Sequence, residues 1–379
     1  MKAFELLAQK IEAEWSSVDN NLEAFSEIAT AALREFEYDL SLEKLNDLLS
    51  KWLLANAQLP EQINVHNTFG QPPITVFNNN KFVIDIYIWV NFDTSIHSHG
   101  FRGAFRVLHG RSLQENFQVK SVEKIATDVM IVDMKNKSMS LLEEGAVRTI
   151  APGFQLTHRV IHLANPTVTL CVKTINEPEL KQWNYMTTGL AVQKQNIQPS
   201  LIKKIYYFNY LLGQNEAQAH DFLKTLLDHL ETSTQIHIYE DVASGAYDLS
   251  PVAVQVITES IVERHERSGW WPLYEAAHMS QMNELFFSSC NDSISRLVAH
   301  FINSGDSLTQ LKPFLNGLSG EEIKVVVRNL MNIETIFNSE LSDDDRQIIK
   351  ELITDTKMSV PLHLKQFEQI SKIRSFLNH

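Results

Sequence analysis

At 379 residues the chain is longer than the roughly 250–300 residues that one hydrophobic core spans, which predicts more than one structural unit. Hydrophobic residues make up 44% and charged residues 21%, a globular balance that excludes a wholly disordered chain. A formal charge of −13 argues against general nucleic-acid binding, which needs a positive footprint, but leaves room for a local basic pocket.

The opening segment, MKAFELLAQKIEAEW, mixes charges into its apolar positions and lacks the apolar stretch of a signal peptide. No run reaches about 18 uncharged apolar residues. A cytoplasmic protein without a membrane span is therefore expected. Residues 1–57 carry three helical stripes. The first runs through Phe4, Leu6, Leu7, Ile11 and Trp15, the second through Leu22, Phe25, Ile28, Ala32 and Phe36. The third includes Leu40, Leu42, Leu45, Leu48, Leu49 and Trp52. Lys44 stands three residues after Ser41, so no capping box supports its start.

The texture changes at Pro60, and from there to about residue 176 Val, Ile, Thr and aromatics dominate. Residues 82–92, FVIDIYIWVNF, are expected to form a strand with Phe82, Ile84, Ile86, Ile88 and Val90 on one face and Val83, Asp85, Tyr87 and Trp89 on the other. Further strands are expected at 96–109, 112–119, 125–134, 147–150, 155–163 and 167–175, separated by turns such as His109-Gly110 and Pro152-Gly153. Short strands with regular turns predict a sandwich or small barrel. From about Pro199 the pattern is helical to the end, with helices expected at 200–212, 215–232, 251–267, 270–288 and on through 361–377. The fold class is thus mixed α+β. An N-terminal helical segment (1–58) precedes an antiparallel β-barrel (59–178), and a large all-helical domain (198–379) follows.

Cys171 and Cys290 are the two cysteines, which excludes a disulfide framework and a Cys-x-x-Cys metal knot. Histidine is the distinctive count, at 14, with six of them between His66 and His162. His97 and His99 are two apart, so on a strand both point to one face and can converge on one metal ion. A Pro152-Gly153 turn precedes a strand carrying His158 and His162, four apart and again on one face. The blander alternative is a set of structural histidines in a barrel that holds no metal.

These segments resemble the two motifs of the cupins, small antiparallel barrels with a metal inside. His97, His99 and Gly110 match the first motif, and Gly145, Pro152, Gly153 and His158 the second. The acidic ligand of many first motifs is missing, since Gly103 and Ala104 stand there, leaving a neutral three-histidine site. Over roughly residues 80–175 the chain is similar to thiol dioxygenases of the cysteine dioxygenase type, and His158-Arg159-Val160 matches their third-ligand motif. That resemblance implies a jelly-roll barrel and Fe(II) held by His97, His99 and His158, with Zn(II), Ni(II) or Mn(II) as alternatives. It also implies O₂ as co-substrate and an unidentified small anionic molecule, thiolate- or enolate-like, or a larger substrate.

The substrate side departs from that family. Its carboxylate-binding arginine precedes the long strand, yet no Arg occurs between Arg34 and Arg102. Its cross-linked cysteine falls near Gly103 or Ala104, its final-strand tyrosine near Lys173, and its Asn four residues after the third ligand is His162. Candidate catalytic residues are Tyr87 as acid or hydrogen-bond donor, Arg102 and Arg106 as carboxylate clamps, and His162 as fourth ligand or ligand support. Strict alternation turns both arginines away from the histidines unless a bulge at Gly100 or Gly103 intervenes. Competing functions are a metal-binding sensor or scaffold without oxygenase activity, and a metal-dependent isomerase or hydrolase. A homodimer or protein partner is expected to use the helical regions. Trp270-Trp271-Pro272 reads as packed aromatics behind a helix start, Cys171 as a small buried hydrophobe, and residues 263–269 (ERHERSG) as a solvated helix end.

Overall fold

The computed structural model describes residues 1–277 apart from 38–40, 56–57, 64–72, 91–93, 176 and 196. His66, Cys290 and the helices expected beyond residue 277 lie outside the described residues. Three N-terminal helices, α1 (Lys2–Ser16), α2 (Leu22–Glu35) and α3 (Leu42–Ala55), follow the three apolar stripes. The hydroxyl of Ser41 accepts from the Lys44 amide at 3.4 Å, so half of a capping box is present at α3.

The strands are β1 (Pro73–Asn78), β2 (Phe82–Trp89), β3 (Ile96–His99), β4 (Gly103–His109), β5 (Ser112–Lys124), β6 (Val129–Leu142), β7 (Val147–Ile150), β8 (Gly153–His162), β9 (Thr167–Thr174), β10 (Trp183–Tyr185) and β11 (Leu190–Gln193). They form a five-stranded sheet in the order β1-β2-β9-β4-β7 and a closed six-stranded barrel in the order β10-β11-β6-β5-β8-β3. The architecture is mixed α+β, a closed antiparallel barrel and a second antiparallel sheet with helices on both sides.

Several elements differ from expectation: β1 and a helix at Thr232–Ala243 are additional, and β5 and β6 run on to Lys124 and Leu142. The strand expected at 96–109 is two strands that join different sheets, broken at Gly100-Phe101-Arg102. Strands β10 and β11 complete the closed barrel, so the β unit extends past residue 178.

Parity decides what each face of the five-stranded sheet meets. Phe82, Ile84, Ile86, Ala104, Leu108, Val168, Leu170 and Val172 pack against Phe4, Ile11, Trp15, Phe25 and Leu33 of the N-terminal helices. Each fully buried side chain of this size contributes about 1.5–3 kcal/mol. The opposite face carries Tyr87, Trp89, Phe105, Val107 and Cys171, which pack with Leu142 of the barrel sheet. Cys171 is buried there, and burial pushes its thiol up to about 12.

Helix α2 lies over the start of β4. The Ser26 hydroxyl donates to the Ile150 carbonyl at 2.7 Å and accepts from the Gly103 amide at 3.1 Å. A Cβ at Gly103 would stand 2.0 Å from the Val172 carbonyl oxygen and 3.0 Å from the Lys173 Cα. Backbone cannot give way as a side-chain end can. Gly103→Ala is therefore expected to lower stability by about 3 kcal/mol or more in urea denaturation. Gly213→Ala, in open space near the end of a helix, should instead be neutral or stabilising by about 0.5–1 kcal/mol. Equal effects at the two glycines would refute the steric account.

Beyond the barrel come α4 (Pro199–Gln214), α5 (Glu216–Asp228), α6 (Thr232–Ala243) and α7 (Pro251–His265). Their core includes Phe208, Leu223, Ile236, Ile257, Trp270, Trp271 and Tyr274, and it reaches the barrel at Val129, Leu190 and Val192. Among the described residues no helix is long and apolar enough to cross a membrane.

The solvated helix end expected at 263–269 hides one buried group, His265, whose Nε2 donates to the Gln235 side-chain oxygen at 3.0 Å. Its ring lies 5.1 Å from Trp270 and 5.8 Å from Trp271. Burial, assisted by Arg264, lowers its pKa to about 4. The unfolded chain protonates near 6.5, so between these values the unfolded state binds more protons. Stability must then fall as pH drops from about 6.5 toward 4. His265→Gln should flatten that part of the stability-versus-pH curve, and an unchanged slope would show that His265 does not contribute to it.

Candidate metal centre

Strand β3 pairs with β8, and His97 lies directly opposite His158. Directly opposed residues share a face of a sheet, so the two rings meet. A register shift between His97 and His99 lets His99 turn to the same point. The ring centroids are 4.7 Å apart for His97–His99 and 4.9 Å for each ring to His158. One ligand nitrogen from each lies within 4.8 Å of the others, and all three residues are buried.

Proton positions follow from the partners. His97 Nδ1 meets the Ser95 carbonyl at 2.8 Å, and a carbonyl only accepts, so Nδ1 carries the hydrogen and Nε2 keeps its lone pair. His99 Nε2 and His158 Nε2 face each other at 2.8 Å. Burial lowers the His97 pKa to about 4. Burial first, then neighbouring charge, holds His99 and His158 well below the ordinary histidine value. Three neutral imidazoles with converging nitrogens are a donor set that fits a divalent transition metal.

The facing sheet supplies the rest of the chamber. Phe101 lies 4.8 Å from the His99 ring, and the Lys173 ammonium lies 5.6 Å from the Phe101 centroid on another side. Lys173 Nζ donates to Asp85 at 2.7 Å and to the Tyr87 hydroxyl at 2.6 Å. The Tyr87 hydroxyl donates to Asp85 at 3.2 Å, and Thr75 donates to the other carboxylate oxygen at 2.8 Å. Burial raises the Tyr87 pKa against the opposing pull of Lys173, so the phenol stays protonated. For Lys173 burial works against the charge, but Tyr87 and Asp85 more than offset it and the pKa is raised.

Tyr87 thus faces the chamber. His162 does not join the three converging nitrogens. Its ring stacks on Trp89 at 4.3 Å and its Nδ1 meets the Ser112 hydroxyl at 3.0 Å, which braces the two sheets against each other. Arg102 and Arg106 are not brought to the histidines. The break before Gly103 keeps both on the helix-facing parity of Ala104 and Leu108. Arg102 pairs with Glu177 and with Glu23 at the start of α2. Arg106 donates to the Leu33 carbonyl at 3.0 Å and to the Phe36 carbonyl, capping the end of α2. Arg159 points away from the triad into a buried pair with Glu115.

Sequence reasoning named Tyr87 and put Asp85 on its face, but missed Lys173 as the partner of both. The signal was present in β9, where Lys173 falls on the parity opposite Val168, Leu170 and Val172.

No family model and no curated protein sequence matches the chain. Partial overlaps occur with solved structures. A hydroquinone 1,2-dioxygenase from Sphingomonas sp. shares 12% identity over 28% of this chain and 68% of its own, with a TM-score of 0.22. A cupin-2 domain containing protein from Shewanella frigidimarina shares 14% over 34% of this chain and 91% of its own, at 0.20. The DMSP lyase DddQ from Ruegeria pomeroyi shares 12% over 46% of this chain and 94% of its own, at 0.26.

Proposed function

We propose that His97, His99 and His158 hold a divalent metal ion, Fe(II) first among candidates, in an oxygenase acting on a small anionic substrate. The observation that carries this reading is the convergence of three buried, neutral imidazoles within 4.8 Å. When bound, the ion would supply Lewis acidity and oxygen activation.

The protein's part is derived from its own groups. No carboxylate joins the triad among the described residues, so the ligand set leaves the ion's charge intact. That charge favours thiolate- or enolate-like substrates and O₂ as the second reactant. Trp89, Phe101, Phe105 and Val107 exclude water from the chamber. Tyr87 holds a proton at its hydroxyl and is oriented by Asp85 and Lys173.

The test is anaerobic purification, metal analysis and O₂ uptake with a panel of thiols and diketones. Stoichiometric iron and substrate-dependent uptake that is lost in His97→Ala support the reading. Bound zinc or nickel without any uptake would overturn it. One observation favours a metal-binding sensor instead: both arginines expected as carboxylate clamps are committed to α2. Tight metal binding with no turnover on any substrate would be its mark.

A further inference from the structure

With Arg102 and Arg106 turned outward, the chamber needs another cation if it is to receive an anionic substrate group. Two lysines come into question. Lys173 is already matched, because Asp85 cancels its charge at 2.7 Å. Lys194 is different. It follows β11 directly, and its amide donates to the Gln182 carbonyl at 2.9 Å. In the same ladder Trp183 opposes Gln193, and on the next strand Asn184 opposes His97. Continuing that register sets Lys194, Gln182 and His99 in one row across three strands, and residues in such a row share a face.

Among the described residues no carboxylate or hydrogen-bond acceptor contacts the Lys194 ammonium. Its side chain is half-buried on the face of that row, and burial, then the charge of Lys173, lower its pKa. A partly buried, uncompensated cation is costly and calls for an anion.

We propose that Lys194 anchors a carboxylate, or a comparable oxyanion, carried by the substrate beside the atom that meets the triad. This rests on the reading of the triad as a metal centre. The charges explain the substrate class. The three histidines are neutral, Asp85 and Lys173 cancel, and Lys194 adds one positive charge to the ion's two. A molecule anionic at two points, one toward the metal and one toward Lys194, matches that distribution.

The probes are thioglycolate and its methyl ester, which lacks the carboxylate charge and carries one more methyl group. Each is titrated into the cobalt(II)-loaded full chain and followed by visible absorption. The wild type should bind the acid at least about tenfold more tightly than the ester, the scale of one charge-assisted hydrogen bond. Lys194→Met and Lys194→Gln should bring that ratio close to one, and Lys194→Arg should keep most of it. Circular dichroism and cobalt content establish that each variant is folded and loaded. A readout free of variants is reductive methylation of Lys194 in the metal-free wild type, slowed by thioglycolate and not by the ester.

A wild-type ratio near one, or a ratio unchanged in both neutral variants, would overturn the proposal while leaving the metal centre standing. Equal cobalt affinity in wild type and His97→Ala, measured without any probe, would overturn the metal centre and this inference with it.

Discussion

His97→Ala and His158→Ala are each expected to reduce cobalt(II) or iron(II) affinity by at least about a thousandfold. Losing a group that merely orients a ligand already costs about 10–100-fold, and here a ligand itself is removed. The two remaining imidazoles, on adjacent strands in His97→Ala and on one strand in His158→Ala, have no carboxylate among the described residues to replace the third. Stability gives a second measure. A site that binds only the folded chain stabilises it by about 2.7 kcal/mol when metal is at a hundred times its dissociation constant. Metal should therefore raise the melting temperature of the wild type and leave both variants unmoved. Arg102→Ala is the contrast: it should weaken the attachment of α2 and leave metal affinity within about threefold, since its partners are Glu23 and Glu177. Metal affinity preserved in both histidine variants would refute the site.

Asp85→Asn should be the costliest change in the facing sheet. The side chains of Lys173 and Asp85 are 6% and 2% exposed, so removing the carboxylate charge leaves a buried ammonium among neutral partners such as the Tyr87 hydroxyl and the Phe101 ring. Breaking such a pair from one side costs about 3–5 kcal/mol, whereas replacing both partners with apolar groups of similar volume is often close to neutral. The double variant Asp85→Leu/Lys173→Met should accordingly recover most of the loss in urea denaturation. A loss below about 1 kcal/mol for Asp85→Asn would mean that the pair is solvated, and the dry chamber described above would have to be abandoned.

The metal-ligand candidates were legible because strand parity is a local property. His97 and His99 share a face whatever the rest of the chain does, and the Pro152-Gly153 turn marks where His158 enters. The inner face of β2 was not legible, because it is fixed by which sheet side the N-terminal helices cover. The elements that were missed have tertiary causes. Strands β10 and β11 are three and four residues long, too short for periodicity, and exist because β3 and β6 offer them edges. Helix α6 reads TSTQIHIYEDVA, where alternating Ile236 and Ile238 suggest a strand. Its first turn is held by Asp128, whose carboxylate accepts from the Ser233 amide at 2.6 Å across 105 residues of sequence. The outward turn of the arginines was legible as well: although the break at Gly100–Arg102 carries the chain to a different sheet, Arg102 and Arg106 keep the parity opposite His97 and His99 that strict alternation gives.

That break has a wider consequence. All three histidines belong to neighbouring strands of the closed barrel, while Asp85, Tyr87, Trp89 and Lys173 stand on the five-stranded sheet. Ion capture and the lining of the chamber are therefore written in separate parts of the backbone, joined between β3 and β4 by three residues. Random change confined to β2 and β9 can diversify what the chamber accepts without disturbing how the ion is held. A mutagenesis library restricted to those two strands should yield members that keep full cobalt occupancy, whereas one restricted to β3 and β8 should lose it.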